Sequence, residues 1–109
     1  MNPVLWEPSQ ERREASLLWH FMQSAPAKFE TYADVHRWSL DEMEAFWAHF
    51  WEFSGLRASR GYDTVLVEPA MPGARWFPGA HLNYAENLLA ADDELPAVIG
   101  CAEGRDDVR

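Results

Sequence analysis

Histidine is the residue type in this chain with the widest chemical use, in metal binding and proton transfer, but its spacing supports neither. A helical metal site needs two ligands one turn apart, and no two of the four histidines have that separation. They are His20, His36, His49 and His81. We therefore expect no metal ligand among them, and we interpret His20 and His49 as polar residues beside an aromatic helix face.

The sequence gives equally little support for a nucleophile. Cys101 is the only cysteine and lies in the mostly apolar stretch Pro96–Ala102, where a thiol is normally inert, so a buried structural role is favoured. A single cysteine also excludes an internal disulfide and a multi-cysteine zinc site, which favours a reducing cytoplasm. Ser9, Ser39 and Ser54 stand in no Gly-x-Ser-x-Gly context, and we assign no serine nucleophile.

The sequence also gives no support for a phosphate-binding loop or for acid–base catalysis. A phosphate loop needs clustered backbone N–H groups from glycine-rich turns, whereas the six glycines are scattered singly. The acidic pairs Asp92-Asp93 and Asp106-Asp107 lie in predicted turns and are interpreted as solvated loop charge. We expect no catalytic, cofactor-binding or metal-binding residue in these 109 residues.

Charge and hydropathy exclude two further classes of partner. Acidic residues outnumber basic ones 18 to 9, and the formal net charge of −9 would repel nucleic-acid phosphates and anionic lipids. The chain shows neither a signal-peptide pattern at its start nor an apolar run of about 18 residues. We expect a cytoplasmic protein that binds neither nucleic acid nor membrane.

Three helices are predicted to position these side chains. The first runs from about Gln10 to Gln23, ahead of Pro26. The second begins at a Ser39–Glu42 capping box and ends at Gly55. One face of this second helix carries a stripe of large apolar residues, Met43, Phe46, Trp47, Phe50 and Trp51. The third runs from an N-cap at Asn83 to about Ala91, with Leu88 and Leu89 on its inner side.

Two short strands complete an α+β fold. Thr64–Val67 is a β-branched run, and Pro96–Ala102 is an apolar run of strand length. Between the first strand and the third helix, Met71–Ala80 is predicted to be an irregular loop held by two buried rings, Trp76 and Phe77. A final strand without a returning partner would leave an open sheet edge, so we expect a longer protein.

The aromatic residues, 14% of the chain, allow two interpretations. Large rings at helical spacing usually form a core, but they also dominate interface hot spots. For an isolated helix the core is favoured. In a piece of a larger protein, part of the stripe would face another domain.

Three segments, in this order, resemble the N-terminal region of acetoacetyl-CoA synthetases. They are Trp6–Arg13, Tyr32–Trp51 and Trp76–Leu89. The wider acetyl-CoA synthetase family shares a Phe-Trp helix and a Trp-aromatic, Leu-Asn and Asn pattern. The form found here, Trp-Phe-Pro-Gly-Ala followed by Leu-Asn-Tyr-Ala-Glu-Asn, is closer to the acetoacetate branch.

The resemblance implies an adenylate-forming ligase that uses ATP, CoA and Mg²⁺ and acts on acetoacetate. Residues 1–95 would be its N-terminal domain, capping a larger α/β domain, and residues 96–109 would begin the AMP-binding domain, the partner of the first. The family's catalytic motifs are not among these residues, so the fragment itself would be inactive. Only structural roles carry over: capping by Ser39 and Glu42, packing by Phe46, Trp47 and Trp51, and fastening of the loop and third helix against the large domain by Trp76, Phe77, Asn83 and Asn87.

Two alternatives stay open from the sequence. One is the N-terminus of an acetyl- or propionyl-CoA synthetase, because substrate choice is made by a pocket outside this segment. The other is a free-standing helical module whose aromatic face binds a partner protein.

Overall fold

The computed structural model describes residues 4–90, 96, 99–100 and 103–104, and it has the predicted α+β character. Its helices are α1 (Gln10–Glu14), α2 (Leu17–Ser24), α3 (Tyr32–Asp41), α4 (Met43–Ser54) and α5 (Tyr84–Leu88). Its strands are β1 (Ala58–Arg60), β2 (Leu66–Val67), β3 (Arg75–Trp76) and β4 (His81–Leu82). Within the described residues, helices and strands are therefore more numerous than the three and two that were predicted.

The predicted first helix is two helices that meet at Ser16. Its hydroxyl donates to the Arg13 carbonyl at 2.6 Å, at the end of α1, and accepts the Trp19 backbone N–H at 3.2 Å, at the start of α2. A serine that bonds its neighbouring backbone in this way offers an alternative to the helical ladder. The prediction of one continuous helix over Gln10–Gln23 is wrong for this reason.

Helix α3 was not predicted, and it displaces the capping box expected at Ser39. Ser39 lies inside α3, where its hydroxyl donates to the His36 carbonyl at 2.7 Å, and Glu42 makes no side-chain capping bond to α4. The reciprocal capping box is instead formed by Thr31 and Asp34 at the start of α3. The chain then bends at Glu42, and α4 follows after this single residue.

The other helix boundaries follow the prediction more closely. Gly55 ends α4 in the left-handed conformation, with φ 65°. The Asn83 side chain accepts the Glu86 N–H and so begins α5 as predicted, but α5 ends at Leu88 rather than near Ala91. Leu88 and Leu89 are 63% and 65% exposed, which contradicts the expected inner position of this pair.

The strands form two nested antiparallel pairs between α4 and α5. Strand β1 pairs with β4, and inside them β2 pairs with β3, placing Leu66 opposite Trp76. The predicted strand Thr64–Val67 is thus confirmed over its second half. The segment Met71–Ala80 contains β3 as well as irregular turns, and its two rings are not buried, since Trp76 is 40% exposed and Phe77 is half-buried.

The main core lies where α2, α3 and α4 meet. Its buried members are Phe21, Met22, Val35 and Trp38, with Ala25, Phe29, Phe46 and Phe53 packed around them. Val65, beside β2, is buried separately. Most of the predicted strand Pro96–Ala102, with Cys101, and the acidic pairs Asp92-Asp93 and Asp106-Asp107 lie outside the described residues.

Candidate docking surface

The structure keeps the candidate chemical residues apart. Among the described residues, no three His, Cys, Asp or Glu side chains come together as a metal site would require. His20 and His81 are exposed on α2 and β4, while His36 lies on α3 against Tyr32, with ring centroids 6.2 Å apart. The hydroxyls of Ser9 and Ser54 bond to nearby backbone, at the start of α1 and the end of α4.

His49 is the most enclosed of the four histidines, and its role is to join α4 to α2. Its ring lies 4.7 Å from the Phe21 ring, and Nε2 lies 3.2 Å from the Phe21 carbonyl oxygen and 3.3 Å from Ser24 Oγ. A carbonyl can only accept, so the hydrogen bond requires a proton on Nε2. The helical spacing places His49 beside the aromatic face but does not reveal this contact, because it joins residues 28 positions apart.

Helix α4 carries aromatic side chains on two sides, one toward helix α2 and the other toward the strand region. On one side Phe46 and Phe53 contact the Phe21 ring, with centroids at 5.6 and 5.2 Å. On the other side Trp51 lies 5.1 Å from Tyr62 and 4.9 Å from Phe77. The predicted packing roles of Phe46 and Trp51 thus have partners in the structure. A helix that is apolar on more than one side is normally buried in a large protein, yet α4 has no buried residue here.

Asn87 fastens α5 to the chain that leaves α4. Its side-chain oxygen accepts the Arg57 N–H at 2.8 Å, and its amide nitrogen donates to the Arg57 carbonyl at 2.9 Å. The amide thereby pairs with one residue's backbone as a neighbouring strand would. Asn87 and the N-cap Asn83 were singled out from the sequence, and the structure gives both a fastening role within this chain.

An open apolar groove lies between α2, α3 and α4. Its volume is about 330 Å³, and ten residues line it: Leu17, Leu18, Phe21, Tyr32, Val35, His36, Ser39, Phe46, Phe50 and Phe53. None of these ten is Asp, Glu, Lys or Arg, although such residues make up 25% of the chain. Depletion of charge is a property of the buried centre of protein interfaces.

Charges elsewhere on the described surface are solvated. The ion pairs Arg60–Asp63, at 2.9 Å, and Arg75–Glu68, at 3.9 Å, join exposed side chains and contribute little to stability. The hydroxyl of Thr31, followed by its backbone N–H, lowers the pKa of Asp34 because both bonds favour the charged carboxylate. No helix in the described part of the chain is long and apolar enough to cross a membrane.

The described residues form a small α+β packing unit with an open apolar groove between three of its helices. Residues 32–88, just over half of the chain, match the family model described as acetyl-coenzyme A synthetase N-terminus, and the chain belongs to this family. The match covers α3, α4, all four strands and α5.

Relatives refine this placement. The chain is 40% identical to malonamoyl-CoA synthetase vrtB of Penicillium aethiopicum, over 93% of this chain and 15% of the relative. It is 34% identical to acetoacetyl-CoA synthetase of Macaca fascicularis, over 96% of this chain and 16% of the relative. It is also similar to the solved acetoacetyl-CoA synthetase from Streptomyces lividans, with 41% identity and a TM-score of 0.71, over 80% of this chain and 14% of that one. The chain thus spans about one sixth of the length of these curated relatives.

Proposed function

We propose that this chain is the N-terminal part of an ATP-dependent acyl-CoA ligase that acts on acetoacetate. The observation that carries the proposal is the agreement between sequence and fold: most of the chain is similar to acetoacetyl-CoA synthetases, one of them with a matching solved structure. In such a ligase the substrate carboxylate attacks the α-phosphorus of ATP and releases pyrophosphate. The CoA thiol then attacks the acyl carbonyl and releases AMP.

The similarity to a malonamoyl-CoA synthetase supports a definite substrate class. Malonamate and acetoacetate are both short carboxylic acids with a carbonyl at C3, and they differ only in an amino or a methyl group on that carbonyl. A pocket that hydrogen-bonds the C3 carbonyl oxygen would accept both. It would reject acetate and propionate, which leave its polar groups unpaired. The substrate we propose is therefore a short 3-carbonyl acid, with malonamate as the second candidate.

Binding of ATP, CoA and Mg²⁺ is assigned to the remainder of the enzyme. Among the described residues no three His, Cys, Asp or Glu side chains come together, so this part of the chain offers no metal site made of protein ligands alone. Residues 1–95 form the N-terminal domain in this proposal, and residues 96–109 begin the AMP-binding domain that is its partner. The single cysteine agrees with a cytoplasmic enzyme.

The test is substrate competition in the full-length enzyme encoded by the same reading frame. ATP- and CoA-dependent thioester formation is measured with acetoacetate, malonamate, acetate and propionate, and residues 1–109 alone serve as the inactive control. We expect kcat/KM for one of the 3-carbonyl acids to exceed that for acetate and propionate by about 10⁴-fold. Preference for acetate or propionate would refute the substrate class, and the absence of any ligase activity would refute the function.

A further inference from the structure

Ser16, at the junction of α1 and α2, follows the most basic stretch of an acidic chain. Arg12 and Arg13 are the only two neighbouring positions that both carry Arg or Lys, among 18 acidic and 9 basic residues. We propose that Ser16 is a phosphorylation site for a serine kinase that selects its substrates by an arginine three residues before the serine. This site would serve regulation and does not depend on the ligase activity proposed above.

The charge pattern separates Ser16 from the other hydroxyl groups of the chain. Kinases of this class bind the substrate arginine with acidic side chains, so the charges around a hydroxyl decide whether it is a substrate. Arg13 stands three residues before Ser16, and no other serine or threonine has arginine at this spacing. Thr31 has Lys28 there, but its hydroxyl donates to the Asp34 carboxylate at 2.7 Å, where a phosphate would meet a like charge.

The local structure makes both the arginine and the serine accessible to a kinase. Ser16 has an extended backbone between two helices, with φ −78° and ψ 148°. Arg13 belongs to α1, a helix of five residues of which none is buried. Opening so short a helix costs little, because no buried side chain has to be exposed. A kinase can therefore hold residues 12–16 in an extended conformation while α2 and the core stay intact.

An open depression beside Ser16 gives room for the added group. Its volume is about 500 Å³, and Ser16 and Arg13 both line it. The Arg13 guanidinium can donate hydrogen bonds to phosphate oxygens. Glu14 and Glu30 also line the depression, and their carboxylates oppose a second anion there. A phosphate on Ser16 would therefore attract one side chain of α1 and repel another.

The reaction is a phosphoryl transfer from ATP to the serine oxygen. A bond forms between Ser16 Oγ and the γ-phosphorus of ATP, and the bond from that phosphorus to the bridging oxygen breaks, which releases ADP. The hydroxyl proton goes to a carboxylate base of the kinase. The modified side chain then carries a charge of about −1.5 to −2 near neutral pH.

Phosphorylation changes the two hydrogen bonds of Ser16 in opposite ways. The hydroxyl donates to the Arg13 carbonyl at 2.6 Å, and the ester oxygen has no proton with which to do so. The same oxygen accepts the Trp19 N–H at 3.2 Å in the first turn of α2, where negative charge is favourable. We therefore expect phosphorylation to release α1 while α2 keeps its cap.

Kinase labelling of the full-length enzyme tests this assignment. The enzyme is incubated with MgATP and a purified serine kinase that requires arginine three residues before the serine. Phosphate on each tryptic peptide is followed over time by mass spectrometry. Cleavage after Arg12 and Arg13 separates Ser9, the N-cap of α1, from Ser16, and fragmentation spectra distinguish Ser16 from Ser24. Ser9 is the internal control, because no Arg or Lys precedes it.

We expect Ser16 to be labelled at least about tenfold faster than Ser9 or Ser24. Arg13→Ala should remove most of this preference, whereas Arg12→Ala should have a smaller effect. Both arginines are exposed, and both substitutions keep the Arg13 carbonyl that Ser16 contacts. Labelling of Ser9 as fast as Ser16, full labelling in the Arg13→Ala variant, or no label on Ser16 in the folded enzyme would each overturn the assignment.

Hydrogen exchange measures the structural effect in the same full-length enzyme. We expect the backbone amides of α1 to exchange several-fold faster after phosphorylation, and the Trp19 amide to exchange no faster than before. Ser16→Ala is the matched control, because it removes the bond to Arg13 and also the cap of α2. Equal acceleration over α1 and the start of α2 in the phosphorylated enzyme would contradict the selective release of α1.

Discussion

At the scale of single residues, the Thr31–Asp34 pair makes the start of α3 sensitive to acid. Both hydrogen bonds from Thr31 favour ionised Asp34, so the folded state lowers the pKa of this carboxyl below its ordinary value of 3.8. The unfolded chain then binds the proton more tightly than the folded one. The stability contributed by Asp34 is therefore complete above the ordinary pKa and is lost as the pH falls through the lower, folded pKa.

Asp34→Asn should remove this part of the acid sensitivity. We expect the variant to be less stable than the native chain near neutral pH, and the two unfolding midpoints to converge as the pH falls below the ordinary pKa of 3.8. Circular dichroism at 222 nm, a wavelength at which helices absorb, would follow unfolding at each pH. Asp41→Asn is the control: its carboxylate is unfavourable at the C-terminus of α3 but favourable just before the N-terminus of α4, so its removal should be close to neutral.

The same residues show why a capping motif alone does not locate a helix. Ser39 and Glu42 have the spacing of a capping box, as do Thr31 and Asp34, so the local pattern does not separate them. The difference lies in the burial of the residues downstream of each motif. A helix beginning at Thr31 carries Val35 and Trp38 on one face, and both are buried against α2 and α4. Tertiary burial therefore selected between two starts that look alike in sequence.

At the scale of elements, the turn before β4 depends on glycine at position 79. Gly79 has φ 85°, and a Cβ built there would clash with the Asp63 carboxylate. We expect Gly79→Ala to destabilise the fold by more than the about 1–2 kcal/mol of a residue forced into left-handed geometry. Gly55→Ala, with φ 65° and no atom within 4 Å of its Cβ, measures that backbone cost alone.

The steric part of the Gly79 effect can be isolated with a double mutant. In an Asp63→Ala background the clashing carboxylate is absent, so Gly79→Ala should cost about as much as Gly55→Ala. Chemical denaturation of the four variants gives the comparison. A Gly79→Ala effect that is unchanged by Asp63→Ala would show that the carboxylate moves aside without cost.

Helix α4 shows how much of an element can be predicted from the spacing of its apolar residues. The apolar spacing and Gly55 were sufficient to predict a helix ending at that glycine. The residues that each face of α4 contacts were not predictable, because the partners of Phe46 and Trp51 come from distant parts of the chain. Phe21 is on α2, and Phe77 follows β3. The groove was not predictable for the same reason, since its walls belong to three helices, one of which was not predicted.

At the scale of the whole molecule, exposed apolar surface should govern the behaviour of the 109-residue chain in isolation. Leu5, Met71 and Tyr84 are each at least 80% exposed, in addition to the open groove. We expect the isolated chain to bind a hydrophobic dye such as anilinonaphthalene sulfonate and to self-associate as its concentration rises. Dye fluorescence and light scattering measure the two effects.

The full-length enzyme is the control for this prediction. Its dye fluorescence per molecule should be lower than that of the isolated chain, because the rest of the polypeptide would cover part of the exposed apolar surface. A monomeric 109-residue chain that unfolds cooperatively and binds no dye would contradict the expectation. It would favour a self-sufficient interaction module.

The contact between Trp47 on α4 and Trp76 on β3 gives the fold a built-in optical reporter. The two indole centroids are 5.6 Å apart, and the planes are inclined by 65°. Two identical chromophores this close and this oblique share their excited states, which splits their ultraviolet circular dichroism into a couplet of opposite signs. The couplet vanishes when the rings separate. Light can therefore report the joining of the helical half to the strand half without any added label.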